Sequence, residues 1–482
     1  MARAETVGAV EHLPTRCDVG TLVAGPDGNV WFSCFRQGPG AGGRATIGRM
    51  TPDGKATEFS AGIPAGGGIR DIVAGADGNL WFTLSGAAYP PSKSRPSAIG
   101  RITPGGVVTL FSAGLRSRSA PGEIVAAPDG VLWFSDDAYS QPPEIGRITP
   151  DGTITEFATG LKPPLGLGGL AIGADGNPWF TQVFDLPHGD GEPGGLIGRL
   201  DPSGTVASFG APPAALGAPV AGPDGNVWFA AGNGRVTIDR VTPSGEISQF
   251  SDGRIGVPSQ LVAAPDGNLW FTAQQSINRI TPSGEIAHFT DCMDYRQAFS
   301  EATSIVAAPG GDLWFTSVTS RQLPSIAEPP TIGRVTPSGA ITLFKAGLES
   351  EPRSLAAGPD GRIWFAGGGE QIERITPPTA PVNTFVFARG EARANGAAKL
   401  PIEVPGPGQI ELRQLPSGAT ARATAATCGP AQVGLRLRGA ARARLRRQGS
   451  VAIEVKATFT PSGGSPDSEV AKVVLRKERR RR

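Results

Sequence analysis

The sequence predicts an all-β chain: a β-propeller of four-stranded antiparallel blades, followed by a small β-sandwich. Three observations predict it. All eight tryptophans, Trp31, Trp81, Trp133, Trp179, Trp228, Trp270, Trp314 and Trp364, stand in a W-F pair just after a turn such as PDGN, ADGN or PGGD. Each pair is followed by a strand ending in R-[ILMV]-[TD]-P, which supplies Arg49, Arg101, Arg147, Arg199, Arg240, Arg279, Arg334 and Arg374. A last strand then recurs as TEF, TLF, ASF, SQF or AHF, at 57–59, 109–111, 155–157, 207–209, 248–250, 287–289 and 342–344. A unit of roughly 40–50 residues with four short apolar strands builds a radial array or a solenoid.

The second copy shows how one unit forms a blade. Ile72-Val73-Ala74 reads as a short buried strand. Asp77-Gly78-Asn79 makes a tight turn, where Gly and Asn tolerate positive φ. Leu80-Trp81-Phe82-Thr83 returns antiparallel, a variable loop intervenes, and Ile99 to Thr103 forms the third strand. Pro104-Gly105-Gly106 then turns into Val107 to Phe111. Such a sheet alone leaves an apolar face wet; stacked radially it buries both faces, and a closed ring removes most free edges. Val10-Glu11-His12-Leu13 reads as an outer strand ahead of the first copy, while the eighth copy ends after Thr376-Pro377. The two should meet, closing an eight-bladed propeller over residues 10–380; seven blades with one degenerate copy is the alternative.

Residues 383–482 change character. Strand-like runs (TFVFA, LPIEV, QIELR, VGLRLR, VAIEVKATFT, EVAKVVLR) alternate with Gly/Pro turns, and the W-F and RITP elements are gone. Six or seven short strands in such a length suggest an immunoglobulin-like sandwich. Charge divides at the same place: residues 1–382 sum to −10 and residues 383–482 to +12, ending in the solvated tail RKERRRR.

Cys17 and Cys34 flank the first strand pair, so a disulfide between them is one option and two packed thiols the other; Cys292 and Cys428 have no evident partners. No CxxC occurs, which argues against a zinc site. The opening MARAETVGAVEHLP lacks an apolar run of signal-peptide length, and nothing in the chain is long and apolar enough to span a membrane. The two-module layout and the lack of any cytosolic cofactor motif nevertheless point to the extracellular or envelope side.

The pattern GPDGNVWF…IGRITPDG…ITEF resembles the virginiamycin B lyase family of β-propellers over about Val10 to Pro377. The resemblance implies a metal-assisted lyase, with Mg²⁺ as cofactor, that opens a cyclic depsipeptide by elimination across its ester. It also implies histidines in a P-H-G-I position and acidic residues nearby. In this chain the eight P-H-G-I slots hold Gly20, Arg70, Gly122, Gly168, Gly217, Ser259, Thr303 and Arg353. The acidic slot after W-F-T holds Cys34, Leu84, Asp136, Gln182, Ala231, Ala273, Ser317 and Gly367. An arginine is always protonated and serves as neither general base nor metal ligand.

Of the three histidines, His12 and His288 fall on outer strands, read as exposed. His188 sits in the loop DLPHGDGEPGG, where Asp185, His188, Asp190 and Glu192 are the weak candidates for a divalent cation; the alternative is a solvated loop. The arginine of every blade reads as scaffold. Residues that break the pattern near the channel mouth are the binding candidates: Arg70, Asp71, Glu123, Asp136, Asp137, Glu351 and Arg353. Arg70 and Arg353, on the two blades flanking the first, would make a fork for a carboxylate or phosphate, or be neutralised by Asp71 and Glu351 beside them. Long loops in copies one, two, four and seven should emerge on that same face, as in loop-borne binding surfaces.

Three functions follow. The leading one is a module binding a small-molecule or peptide ligand on the propeller face, with the basic C-terminal domain docking to an acidic polymer or the cell envelope. The second is a metal-dependent C–O lyase, or a hydrolase, acting on a cyclic depsipeptide or lactone. Nucleic-acid binding through the tail is a third; no aromatic residues interleave with its charges, which disfavours base stacking.

Overall fold

The computed structural model describes residues 10–36, 43–86, 97–138, 141–160, 166–184, 194–211, 217–232, 236–273, 276–289, 301–318, 331–344, 348, 351–367, 369–377, 385–387, 390–404, 408–425, 429–461 and 466–477. Eight four-stranded antiparallel sheets form the propeller. Blade 1 runs Asp18–Ala24, Val30–Arg36, Arg44–Met50 and Ala56–Phe59, and blades 2 to 7 repeat it from Gly68, Pro121, Leu167, Val220, Pro258 and Glu301. Blade 8 takes Leu355–Ala357, Ile363–Ala366 and Gln371–Ile375 from its own copy, and its outer strand is Val10–Pro14. Val10 lies opposite Ile375 and Pro14 opposite Gln371, so the ring is closed by strand pairing as the sequence predicts.

Each indole is the wedge between neighbouring blades. Trp31 packs among Ile72, Leu80 and Phe82 of blade 2, and Trp364 among Leu22, Phe32 and Met50 of blade 1. Burying about 200 Å² of ring contributes on the order of 5 kcal/mol per blade. The turn ahead of the tryptophan orients it: Asp27 accepts the Trp31 indole N–H at 2.9 Å and the Asn29 side chain at 2.7 Å. The blade arginine covers the outer side. Arg49 stacks 5.6 Å from the Trp31 ring and 5.5 Å from Phe59, and donates to the Pro104 carbonyl of blade 2 at 2.7 Å. Arg101, Arg199 and Arg240 repeat the bond to Pro150, Pro243 and Pro282 of the following blades, and Arg374 returns it to Pro52 of blade 1. In these five blades one cation therefore locks two sheets together.

The glycine of the I-G-R strand has a packing cause. A Cβ at Gly48 would lie 2.1 Å from the Phe32 ring, and one at Gly146 would lie 1.9 Å from Phe134. Cys17 and Cys34 form a disulfide, both buried, with Cα atoms 5.6 Å apart. Cys292 and Cys428 fall outside the described residues.

The C-terminal strands belong to one sheet. Its order is Gly429–Arg436, Ala397–Val404, Gly390–Ala392, Asp467–Lys477, Ser450–Pro461, Gly408–Leu415 and Thr420–Ala425, with the short Val386–Phe387 also on Ala397–Val404. Alternating residues face inward, and Leu400, Ile402, Ile410, Leu412, Val433, Val455, Phe459 and Leu475 fill the interior. The sheet curls until its two end strands, Thr420–Ala425 and Gly429–Arg436, run alongside each other, nearly closing it. A helix absent from the sequence reading, Gly439–Gln448, buries only Leu445; Gly449 ends it in the left-handed conformation (φ 70°), and Arg446 and Arg447 complement its C-terminal dipole. Among the described residues no helix is long and apolar enough to cross a membrane.

Candidate functional site

The first strands of successive blades lie side by side around the hub. One register position on them, just before a buried apolar residue, links blade to blade. Asp71 accepts the Ile124 N–H of blade 3 at 3.1 Å, and Glu123 accepts the Leu170 N–H of blade 4 at 2.9 Å. Gln260 accepts the Ile305 N–H at 3.0 Å, and Ser354 the Leu22 N–H at 3.2 Å. Two of these clamps are acids in an apolar setting. Burial pushes Asp71 up to about 6, against the N–H groups of Ile124 and Ile72. Burial, then the Asp71 carboxylate, push Glu123 up to about 7, opposed by the Leu170 N–H. Asp137 is raised as well, chiefly by burial, while it accepts the Leu167 N–H at 3.0 Å.

Asp136, the last residue of the second strand of blade 3, is fully buried. It accepts the Ala120 N–H at 2.7 Å and meets the Arg116 guanidinium at 3.3 Å. Arg116 also reaches Glu144 at 3.4 Å, and its backbone N–H binds Glu156 at 2.6 Å. Burial and the neighbouring Asp136 push the Glu156 carboxyl up. This ion network holds the connection between the blades.

Arg70 and Arg353 are both exposed, and Glu351 is half-buried. Asp71 turns to backbone N–H groups instead of to Arg70. Among the described residues, no ion pair or side-chain hydrogen bond engages Arg70 or Arg353. Asp185, His188, Asp190 and Glu192 lie outside the described residues.

The outer-strand histidines are not the exposed residues the sequence reading makes them. His12 Nδ1 stands 3.0 Å from Oε1 of the buried Glu373. His288 Nδ1 is 2.7 Å from Asn278 Oδ1, and its Nε2 is 2.5 Å from Asp252 Oδ2. In blade 5, Gln249 donates to the buried Asp239 at 3.1 Å. Asp239, Asn278 and Glu373 all replace the glycine of the I-G-R strand, and the outer strand answers each with a polar partner. The substitutions were visible in the sequence; their partners required the register. Burial raises Asp252, but the Arg254 backbone, His288 and the Arg254 side chain outweigh it and hold the carboxyl at about 2.

A divalent cation fits these side chains poorly. Among the described residues, the group of ligand-type atoms that come within reach of one ion is Cys17, Cys34 and Glu58. Its sulfurs are joined in the disulfide, and Glu58 is held by Arg36 at 2.7 Å. The hub acids each point at a backbone N–H of the next blade.

Residues 1–189 and 191–327 match the Virginiamycin B lyase family. Among solved structures, a streptogramin B lyase is 25% identical, with 66% of this chain and 96% of that chain covered and a TM-score of 0.48. A catalytically inactive histidine-to-alanine variant of virginiamycin B lyase from Staphylococcus aureus, with quinupristin, is 26% identical, with 65% and 96% covered and a TM-score of 0.47. The Dos1 propeller is 9% identical at a TM-score of 0.51, covering 76% of this chain and 94% of that one, a likeness of fold alone. No curated protein matches the sequence.

Proposed function

Because the chain belongs to the virginiamycin B lyase family, we propose that its propeller serves mainly to bind a ligand, an anionic small molecule or peptide held at the loop-bearing face. The observation that carries this reading is the pair Arg70 and Arg353, exposed on blades 2 and 8 with no ion-pair partner among the described residues. A guanidinium left to solvent is a bidentate receptor for carboxylate or phosphate. Loss of the family's chemistry accords with the absence of histidine from all eight P-H-G-I slots, and with His12 and His288 being engaged on outer strands. The buried disulfide supports an extracellular or envelope location, since such bonds persist in oxidising compartments. The test is retention of the protein on an immobilised carboxylate- or phosphate-bearing ligand. Arg70→Ala combined with Arg353→Ala should abolish it, and unchanged retention refutes the fork.

A second reading, a lyase or hydrolase on a cyclic depsipeptide or lactone, is favoured by one observation: the Glu123 carboxyl, held at about 7, is suited to take a proton near neutrality. Incubation with a streptogramin B depsipeptide and Mg²⁺, followed by mass spectrometry, decides it. Linear product that disappears in Glu123→Gln establishes the reaction; no product leaves the binding function.

A further inference from the structure

The closing strand of blade 8 and the outer half of blade 1 leave a cleft of about 810 Å³ between them. Three stretches of chain each bring an arginine to it: Arg16 on the link from Val10–Pro14 into blade 1, Arg36 at the end of the second strand and Arg44 at the start of the third. Arg36 and Arg44 stand directly opposite each other in the ladder, where like charges destabilise a strand pair. The seven residues between them, QGPGAGG, carry no charge. Among the described lining residues Glu58 is the one acid, and Arg36 takes it at 2.7 Å. Arg44 donates to the Ser60 carbonyl at 2.9 Å. Among the described residues, no ion pair or hydrogen bond engages Arg16. Three arginines against one glutamate leave a surplus of +2, inside residues 1–382 that sum to −10. Two further features mark a built site. Thr46, 2% exposed, belongs to the lining, and its hydroxyl has no hydrogen-bond partner; an unmet buried hydroxyl is a cost that a guest can remove. The Cys17–Cys34 disulfide joins the two walls, since Cys17 follows Arg16 and Cys34 lies opposite Thr46 in the ladder. Receptor groups fixed in this way lose less freedom on binding.

We propose that this cleft binds a phosphate monoester of a small polyol. Guanidinium groups receive phosphate oxygens through paired N–H donors. A monoester carries a charge of about −1.5 to −2 near neutrality, which matches the surplus. The volume lies within the range of about 300–1,000 Å³ usual for small organic ligands, so an inorganic ion alone would leave most of the space unfilled. Pro14 and Ala56 are the apolar side chains of a lining that is otherwise polar or glycine, which favours a hydroxylated organic part over an apolar one. The Arg70–Arg353 fork involves different residues, and neither reading depends on the other.

The test is isothermal titration calorimetry of the full chain with glucose 6-phosphate, with glucose and inorganic phosphate as the other arms. Expected is saturable binding of one glucose 6-phosphate per chain, with either half alone weaker by about tenfold or more. Arg16→Ala combined with Arg44→Ala should weaken binding by about tenfold or more. Both side chains are exposed, so this variant should melt as the parent does. Lys472→Gln, which removes an exposed charge from the C-terminal domain, should bind as the parent does. Four results would overturn the proposal: no saturable binding of glucose 6-phosphate, equal affinity for glucose or for inorganic phosphate, parental binding by the double arginine variant, or an equal loss in Lys472→Gln.

Discussion

Replacing Glu123 by glutamine should stabilise the propeller in alkaline solution and leave it unchanged in mild acid. Glu123 is a half-buried acid whose carboxyl sits at about 7 instead of its ordinary 4.5. The native state therefore holds the proton more tightly than the unfolded chain does. For an acid raised in this way, the favourable contribution is complete below about pH 4.5, fades as pH climbs to about 7, and is gone above it. A rise of that size corresponds to about 3 kcal/mol between the two plateaus. Glutamine carries no charge to desolvate and can still accept the Leu170 N–H, which Glu123 now takes at 2.9 Å. Gln260, at the same register position in blade 6, already does so with the Ile305 N–H at 3.0 Å. The assay is thermal unfolding followed by tryptophan fluorescence. All eight tryptophans lie between 31 and 364, so the signal reports the propeller and not the C-terminal domain. At pH 5 the variant and the parent should melt together within a degree or so. At pH 9 the variant should melt higher by about 4 °C, from the entropy of unfolding of a domain this size. A variant that melts lower at pH 9, or a difference that does not change with pH, would refute the account of the hub acids.

Four further outcomes are expected. Arg240→Ala removes the bond to Pro282 and the stacking on Trp228 and Phe250, and should cost about 2–3 kcal/mol in urea unfolding, with Arg240→Lys recovering only part. Asp27→Ala strips the acceptor from the Trp31 indole and from Asn29; a loss of about 2 kcal/mol should appear in the same assay. Cys17→Ser with Cys34→Ser opens a link across 17 residues and should lower stability by about 3 kcal/mol, an effect reproduced by reductant on the parent protein but absent from the variant. Deleting residues 10–14 leaves blade 8 with three strands and an open edge; light scattering should show association that the full chain resists.

The repeat made most of the propeller legible. W-F, R-[ILMV]-[TD]-P and the closing strand each recur because each fills the same place in every blade, and a strand ahead of the first copy can only complete the last. What periodicity hides is the use made of exceptions. Asp71 and Glu123 break the pattern at the hub, as a ligand site would, yet their carboxyls tie one blade to the next. Asp136 falls in the family's acidic slot and meets a half-buried arginine from a connecting segment, a pairing across 20 residues that no repeat encodes. His12 and Glu373 are 361 positions apart, so their contact became readable only once the outer strand had been laid against Gln371–Ile375. The helix Gly439–Gln448 escaped because GAARARLRRQ offers a single large apolar residue, Leu445, and hence no marked amphipathic period.

The Val10–Pro14 pairing also sets an order of events during synthesis. Residues 10–14 find their partners, Gln371–Ile375, only after some 360 more have been added. At about 5–20 residues per second this is a wait of roughly 20–70 s on the ribosome. Throughout it seven blades can assemble outward from the first while a short, half-apolar strand stays unmated. A nascent chain of this design is most vulnerable to chaperone capture or proteolysis at this strand, and that vulnerability ends in a single step when the eighth blade emerges.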